Sequence, residues 1–329
     1  MIHVGPINRR DLLGVASLAW LGSPGAHAAD ATFPIRPLRL IVPAAAGGVQ
    51  DVRSRQLAGH LGRLLRQQVV VENRPGATGA IALELVSRAA ADGYTLVMAP
   101  VSLTVLPHLV KLSFDPLRDL AAVTLISTGP IMLLANPAAP FDSIASLVAI
   151  ARDQPGRINV GSAGHAGMGH LALELLNREA GLGLVNVPYT GGAQQVTDLL
   201  GNQIPLLFDY PGSVATHVRS GRMRALAVAG TRRLPLLPDV PTFAEAGFPS
   251  VVVTGWQGIM VPAGTPNEVI QLLHGTISSA LQSADLREAF IAAGVEIGGD
   301  GPEAFGGFIR AEHARWGEVI ARAGIKLEQ

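Results

Sequence analysis

P-L-R-L-I-V-P-A-A-A-G-G-V-Q-D spans residues Pro37–Asp51 and contains the most informative pattern of the chain. Its apolar run, Leu38–Val42, predicts a buried strand, and a loop of small residues ending in Gly47-Gly48 leads to a predicted helix, Val49–Leu65. A strand that passes through glycines into a helix leaves backbone N–H groups unpaired at the positive end of the helix dipole. The stretch therefore indicates either an anion site without a cationic side chain or an ordinary strand-to-helix turn. Since no G-K-[ST] follows the glycines, a nucleotide-binding P-loop is excluded.

The same order of strand, loop and helix recurs along the chain, which predicts an α/β fold with mostly parallel sheets and helices on both faces. Loops rich in Gly, Pro and Ser follow five predicted strands and begin at Ala44, Pro100, Ser162, Pro188 and Asp209. Ligands bind at the carboxyl ends of the strands in such sheets. Because none of these loops carries Lys or Arg, they predict a cleft lined by backbone amides. Val251–Val253 is also predicted to be a strand.

The first 28 residues are predicted to be an export signal. Arg9-Arg10 precede the apolar run Leu12–Leu21, and an A-x-A cleavage pattern ends at Ala28, so the mature chain would begin at Ala29 in the periplasm. The apolar run is too short to span a bilayer. The arginine pair resembles the twin-arginine motif, but Leu and Gly stand where Phe and Lys are usual, so Tat and Sec export both stay open.

Composition excludes several classes of function. The formal net charge is zero and no basic run occurs, which argues against nucleic-acid binding. The absence of cysteine excludes disulfides, thiolate metal sites and a Cys nucleophile, and no H-E-x-x-H pattern occurs, so neither a metal nor a cofactor is predicted. Ser162 with His165 or His170 and Asp209 would be the best material for an enzyme. Because no G-x-S-x-G elbow surrounds Ser162, we predict that the chain is not an enzyme.

Seven sequence blocks follow one another in order over essentially the whole mature chain. They are P-L-R-L-I-V-P…G-G-x-x-D (Pro37–Asp51), V-V-V-E-N-R-P-G-A-x-G (Val69–Gly79), A-D-G-Y-T-L (Ala91–Leu96), N-V-G-S-A-G (Asn159–Gly164), V-P-Y-T-G-G-A (Val187–Ala193), R-A-L-A-V (Arg224–Val228) and L-P-D-V-P-T-F-A-E-A-G (Leu237–Gly247). The ordered set resembles the Bug/TctC family, the extracytoplasmic solute receptors of tripartite tricarboxylate transporters.

This resemblance implies a type II-like periplasmic binding protein with two α/β lobes. Residues 29–127 plus 254–329 would form lobe 1 and residues 128–253 lobe 2, with crossing segments near Leu125–Pro130 and Val251–Trp256. The protein would be monomeric, would close by a hinge on a small mono- or dicarboxylate, and would deliver it to membrane subunits of a tripartite transporter. The ligand would be held by loop amides, hydroxyls and waters. The alternative is a receptor that reports its ligand to a membrane signalling partner.

The candidate ligand-binding residues come from the five loops. They are Ala44, Ala46, Gly47, Gly48 and Asp51; Val101 and Ser102; Ala163, Gly164 and His165; Tyr189, Thr190 and Gly191; and Asp209. For Asp51 the alternative role is to stabilise the helix dipole, and for Asp209 it is to organise a loop or the hinge. Ala44, Gln50 and His165 depart from residues common in the family, so no named ligand can be carried over.

Overall fold

The computed structural model of the 329-residue chain describes Met1 and residues 33–325, except Gly48, His165, Ala166 and Thr190. The predicted export signal and its cleavage site lie outside the described residues, as do the predicted ligand residues Gly48, His165 and Thr190. Across the described ranges, no helix is both long enough and apolar enough to cross a membrane.

The described residues form eleven strands in two sheets. The strands are β1 Leu38–Val42, β2 Val69–Asn73, β3 Thr95–Pro100, β4 Leu120–Pro130, β5 Met132–Ala135, β6 Asn159–Ala163, β7 Val185–Tyr189, β8 Leu206–Asp209, β9 Arg224–Val228, β10 Thr254–Pro262 and β11 Glu296–Ile297. The first sheet has six strands in the order β11-β4-β10-β3-β1-β2, and the second has five in the order β7-β6-β8-β5-β9.

The helices pack on both faces of the two sheets. They are α1 Val49–Leu65, α2 Ala80–Ser87, α3 Ser102–Val105, α4 Ile144–Asp153, α5 Met168–Ala180, α6 Gly192–Leu200, α7 Pro211–Arg219, α8 Asn267–Leu281, α9 Ala284–Ala292 and α10 Pro302–Ala323. Short 3-10 turns add Ala77–Gly79 and Leu106–His108.

The two sheets are mixed and not mostly parallel as predicted, because each combines a parallel group of three strands with antiparallel neighbours. In the first sheet β1 pairs in parallel with β2 and β3, whereas β10 runs antiparallel to both β3 and β4. In the second sheet β6 pairs in parallel with β7 and β8, and β5 runs antiparallel to β8 and β9. The parallel groups place the loops after β1, β2, β3, β6 and β8 at the strand ends that face the space between the sheets.

Alternating side chains along the strands supply the apolar cores. In β1, Leu38, Leu40 and Val42 pack with Leu57 and Leu61 of α1. Each of these five side chains is at most 2% exposed, whereas Arg39 between them is exposed. Because the apolar residues named here recur every second position in β1 and four positions apart in α1, each element has one apolar face, and these two faces pack together. This packing fixes the direction in which α1 leaves the loop at Gly47.

The two sheets are joined by three neighbouring segments. β4 pairs with β10 from Leu120↔Pro262 to Pro130↔Thr254, and both strands end where the second sheet begins. The third segment is α10, whose Phe305 packs in the core of the first sheet while Trp316 packs in the core of the second. The lobe limits inferred from the resemblance stay a prediction, and β4 continues beyond residue 127 within the first sheet.

Two predictions of secondary structure were wrong. Val251–Val253 is not a strand, because this segment passes between the sheets and pairs with no single strand. The N–H of Val253 donates to Ala229 O, whereas its carbonyl accepts from the N–H of Ile131. The loop predicted after Pro100 contains the short helix α3. Four residues carry too little periodicity to reveal a helix in the sequence.

Candidate functional site

A cleft of about 640 Å³ lies between the two sheets, at the carboxyl ends of their parallel strands. We call it the main cleft. Its walls include Ala44 and Ala45 after β1, Pro75, Gly76 and Thr78 after β2, Val101 and Ser102 after β3, Ala163 and Gly164 at the end of β6, Met168 and Gly169 of α5, Asp209 at the end of β8 and Tyr210 after it. Loops from both sheets therefore meet at one space, as the sequence pattern predicts.

The structure brings part of the predicted ligand set together. Six of these residues line the main cleft: Ala44, Val101, Ser102, Ala163, Gly164 and Asp209. Five other described residues of the set do not line it: Ala46, Gly47, Asp51, Tyr189 and Gly191. The hydroxyl of Tyr189 donates to Asp198 Oδ2 at 2.9 Å, which directs this side chain to its own lobe. The assignment of all these residues to ligand binding stays a prediction.

Asp51 is 3% exposed and organises the loop before α1. Its carboxylate accepts the backbone N–H of Gly47 at 2.8 Å, the amide of Asn73 at 2.9 Å and the guanidinium of Arg55 at 3.0 Å. Asn73 also donates to Ala44 O at 3.0 Å. The hydrogen bond from Arg55, followed by those from Gly47 and Asn73, lowers the pKa of Asp51 to about 2. The anion at this helix start is thus one of the protein's own carboxylates.

Backbone N–H groups for an external anion are supplied mainly by the start of α5. Gly167 precedes this helix without a side-chain cap, and Met168 and Gly169 line the main cleft. The first turn of a helix leaves its N–H groups without intrahelical partners and carries the positive end of the dipole. A Cβ on Gly167 would lie 2.2 Å from Ala163 O, so only glycine allows this close approach.

A 3-10 turn after β2 forms another wall that the sequence reasoning missed. Ala77 and Thr78 have φ angles of 45° and 53°, a left-handed conformation that is uncommon for residues other than glycine. The Ser102 hydroxyl donates to Thr78 O at 2.7 Å and so supports the turn. Strained residues of this kind cluster at ligand sites. The signal in the sequence was the run N-R-P-G-A-T-G, Asn73–Gly79, directly after a strand.

Asp209 is the charged residue among the described residues that line the main cleft. It is 6% exposed; Oδ1 accepts the N–H of Tyr210 at 2.7 Å, whereas Oδ2 has no hydrogen-bond partner among the described residues. Burial raises the pKa of Asp209 to about 6, and the hydrogen bond from the Tyr210 N–H opposes this shift. The carboxyl group is therefore poised between its neutral and charged forms near pH 6.

The chemistry of the main cleft is that of neutral donors. No Lys or Arg is among the described residues that line it, and no group of three His, Asp or Glu side chains suited to a metal ion occurs in the described part of the chain. Amides at a helix start hold an anion with hydrogen bonds that are weaker than a bidentate arginine pair and easier to release. The arrangement fits reversible binding of a small anion.

Comparisons with known proteins agree with this geometry. A family model described as "Tripartite tricarboxylate transporter family receptor" matches residues 53–325. Protein BugT of Bordetella pertussis is 37% identical over 330 residues, covering 98% of this chain and 100% of BugT. The solved structure of R. palustris Rpa4515 with adipate has a TM-score of 0.82 and 32% identity, covering 90% of this chain and all of that one. The periplasmic binding protein BugD has a TM-score of 0.79 and 31% identity, with coverages of 90% and 100%.

These similarities confirm two predictions made from the sequence. The first is the resemblance to the Bug/TctC family, and the second is the fold class, a two-lobed periplasmic binding protein with α/β lobes.

Proposed function

Because this chain belongs to the tripartite tricarboxylate transporter receptor family, TctC, we propose that it captures a small organic acid in the main cleft and delivers it to a membrane transporter of that type. Members of the family are solute-binding receptors and not enzymes, which confirms the prediction that the chain is not an enzyme. The observation that carries the proposal is the uncapped start of α5 in a cleft without a cationic side chain among its described walls.

The ligand class follows from the donors in the main cleft. Met168 and Gly169 offer backbone N–H groups under the positive end of the α5 dipole, which favours a carboxylate over a neutral solute. The similar protein Rpa4515 holds adipate, a carboxylate at both ends. We therefore take a mono- or dicarboxylate as the ligand class of this chain.

Capture would involve closure of the two lobes on the ligand. The walls of the main cleft come from both sheets, so a bound acid would be contacted by the loop after β1 and by the start of α5 together. β4, β10 and α10 connect the sheets and supply the flexible axis. Hinge closure around a ligand between two lobes is a common mode of movement in such receptors.

Family receptors are periplasmic, and this chain has the sequence of an exported protein. We propose that residues 1–28 direct export and that cleavage near Ala28 releases the receptor into the periplasm. Mass spectrometry of the protein recovered from the periplasm tests this point: an N-terminus at Ala29 is expected, and an intact Met1 would contradict cleavage.

A thermal-shift screen tests the ligand class. The purified protein is heated with mono- and dicarboxylates, aromatic acids and amino acids, and each positive acid is compared with its neutral amide of the same carbon skeleton. Ligand at 100 times its Kd is expected to add about 2.7 kcal/mol to the free energy of unfolding. A carboxylate that raises Tm while its amide does not supports the proposal. If no carboxylate raises Tm, or the amides act equally well, the ligand class is wrong.

A further inference from the structure

A second cavity, of about 340 Å³, lies beside the main cleft. We call it the Arg53 cavity, and its walls include Arg53, Ser127, Tyr210, Ser213, Trp256 and Gln257. It shares Gln50, Pro100, Val101 and Tyr210 with the main cleft, so the two spaces adjoin at these residues. Like the main cleft, it receives side chains from both sheets.

Arg53 makes no hydrogen bond and no ion pair with any described residue. Its guanidinium carbon lies 5.5 Å from the centroid of the Phe290 ring, and it also interacts electrostatically with Tyr210. The side chain is partly buried, and this burial lowers the pKa of Arg53. No Asp or Glu is among the described residues that line the cavity. A charge removed from water without a partner is costly, so the site is incomplete as it stands.

Arginines with a structural role in this protein are paired. Arg39 makes two hydrogen bonds to Glu72, at 2.6 and 2.9 Å, and Arg233 contacts Glu245 at 3.0 Å. Arg55, two residues after Arg53 on the same helix, binds Asp51. Arg53 differs from all three because its guanidinium lines a cavity and faces no acid among the described residues.

Neutral hydroxyl groups complete the surroundings of Arg53. Ser127 is 2% exposed and lines the cavity, and its hydroxyl makes no hydrogen bond with a described residue. The hydroxyl of Tyr210, on the shared wall, likewise has no described hydrogen-bond partner. A planar guanidinium with adjacent hydroxyl donors matches a carboxylate, which accepts several hydrogen bonds in one plane.

We propose that the Arg53 cavity is an anion subsite that binds a carboxylate, and that this carboxylate is the second one of a ligand whose first carboxylate lies in the main cleft. The ligand class of this chain is then a dicarboxylate. This inference rests on the proposed function, because it assigns the far end of the ligand that the main cleft captures.

The test compares a dicarboxylate with a monocarboxylate of the same chain length, adipate with hexanoate, by isothermal titration calorimetry. Wild type, Arg53→Gln and Arg63→Gln are measured in parallel. Arg63 is exposed in the last turn of the same helix, so its variant removes the same charge without touching either cavity. Wild type should bind adipate about 10- to 100-fold more tightly than hexanoate, the range expected for a charge-assisted hydrogen bond. Arg53→Gln should abolish this preference, and Arg63→Gln should keep it.

A second measurement separates failure of this inference from failure of the proposed function. Sodium sulfate, a source of a small anion independent of the ligand, is titrated into the same three proteins at constant ionic strength while tryptophan fluorescence is followed, to which Trp256 on the cavity wall contributes. If no carboxylate of the thermal-shift screen binds wild type but Arg53→Gln alone loses the response to sulfate, the proposed function fails and the anion subsite stands.

The remaining outcomes overturn the inference. If wild type binds both acids equally, or Arg53→Gln weakens adipate and hexanoate by the same factor, Arg53 does not bind the second carboxylate. If Arg53→Gln and wild type respond alike to sulfate and to adipate, Arg53 holds no anion. A response to sulfate that needs Arg53, without any preference for adipate, assigns the site to a separate anion and rejects the shared ligand.

Discussion

At the start of α1, the carboxylate of Asp51 occupies the position in which the sequence pattern suggested an external anion. It accepts the N–H of Gly47 and is fixed by Asn73 and Arg55, and it does not line the main cleft. The glycine loop is therefore held in shape by the chain itself. The glycine loop would contribute to binding by fixing the position of Ala44 and Ala45, which line the main cleft.

Replacing Asp51 tests this indirect role. Asp51→Ala leaves the N–H of Gly47 and the side chains of Asn73 and Arg55 without their shared acceptor, so we expect a lower Tm together with a several-fold weaker affinity for the organic acid. Circular dichroism and calorimetry measure the two effects. Asp239→Ala, at an exposed position, is the control and should change neither quantity. Weaker binding with an unchanged Tm would instead indicate direct contact with the ligand.

Asp209 should make the stability of the ligand-free protein depend on pH. Its folded pKa of about 6 lies above the ordinary value of 3.8, so the folded state retains a proton that the unfolded state has lost. The contribution of Asp209 to the free energy of unfolding is fully present below about pH 4, declines as pH rises, and is lost above about pH 6. A difference of two pKa units between the folded and unfolded states corresponds to about 3 kcal/mol. Urea unfolding of wild type and Asp209→Asn across this range should show that difference, whereas parallel curves would contradict it.

The same group should affect binding. A carboxylate in the main cleft is repelled by ionised Asp209, so the affinity of wild type should fall as pH rises through about 6, by up to about tenfold. In Asp209→Asn the affinity should vary much less over the same range. Calorimetric titrations with a strong acid as ligand, which stays ionised throughout, measure this effect. An affinity of wild type that rises with pH would show that Asp209 accepts a hydrogen bond from the ligand.

Among the secondary-structure elements, the start of α5 is the most sensitive to a small change. Gly167→Ala places a methyl group 2.2 Å from Ala163 O, which forces the loop and the helix start apart. We expect at least a tenfold loss of affinity and a loss of about 1–3 kcal/mol in the free energy of unfolding. Gly275→Ala is the matched control, because a Cβ there meets no atom within 4 Å on helix α8. It should leave binding unchanged and stabilise the helix slightly.

Long periodic elements could be predicted from the sequence, and short ones could not. α1 occupies Val49–Leu65 as predicted, because Leu57 and Leu61 mark its buried face at a spacing of four. The turn Ala77–Gly79 and the helix α3 escaped prediction, because three or four residues define no face and tertiary contacts such as Ser102–Thr78 hold them.

The candidate site, too, could be predicted from the sequence only in part. The glycine-rich loops pointed to the main cleft, because strand ends of a parallel group must meet at one edge of a sheet. Thr78 and Arg53 were not assigned to the site, because the sequence reveals neither the 3-10 turn after β2 nor which arginine of α1 lines a cavity, whereas Gln50 was placed in the predicted cleft as a departure from the family. The sequence predicts where backbone amides gather, but not that Arg53 lines a cavity without an acidic residue among its described walls.

For the molecule as a whole, α10 links the two cores. Phe305 and Trp316 are both fully buried on this one helix, the first in the core of the six-stranded sheet and the second in that of the five-stranded sheet. The indole N–H of Trp316 also donates to Glu312 at 2.9 Å. Neither sheet can lose its core packing without disturbing the helix that packs on the other. The two halves should therefore unfold together.

Scanning calorimetry tests this coupling. Wild type should unfold in one transition whose calorimetric and van't Hoff enthalpies agree. Trp316→Ala is expected to cost about 3–5 kcal/mol and to split the transition in two, because the second core loses its contact with α10. Leu273→Ala, a buried change within the first core, is the control and should lower Tm without splitting the transition. Two transitions in wild type would show that the halves are independent.

The paired strands β4 and β10 also determine how the two sheets can move. Their ladder runs to Pro130↔Thr254, and the N–H of Ile131 donates to Val253 O at 3.3 Å beyond it, so these two of the three connecting segments form a narrow ribbon. A ribbon bends across its flat face far more easily than it slides or bends edgewise. Opening is then described by a single angle. Because the chain contains no cysteine, spin labels attach only to cysteines that are introduced, one in each sheet. The distance between these two labels can then follow the opening and closing of the main cleft.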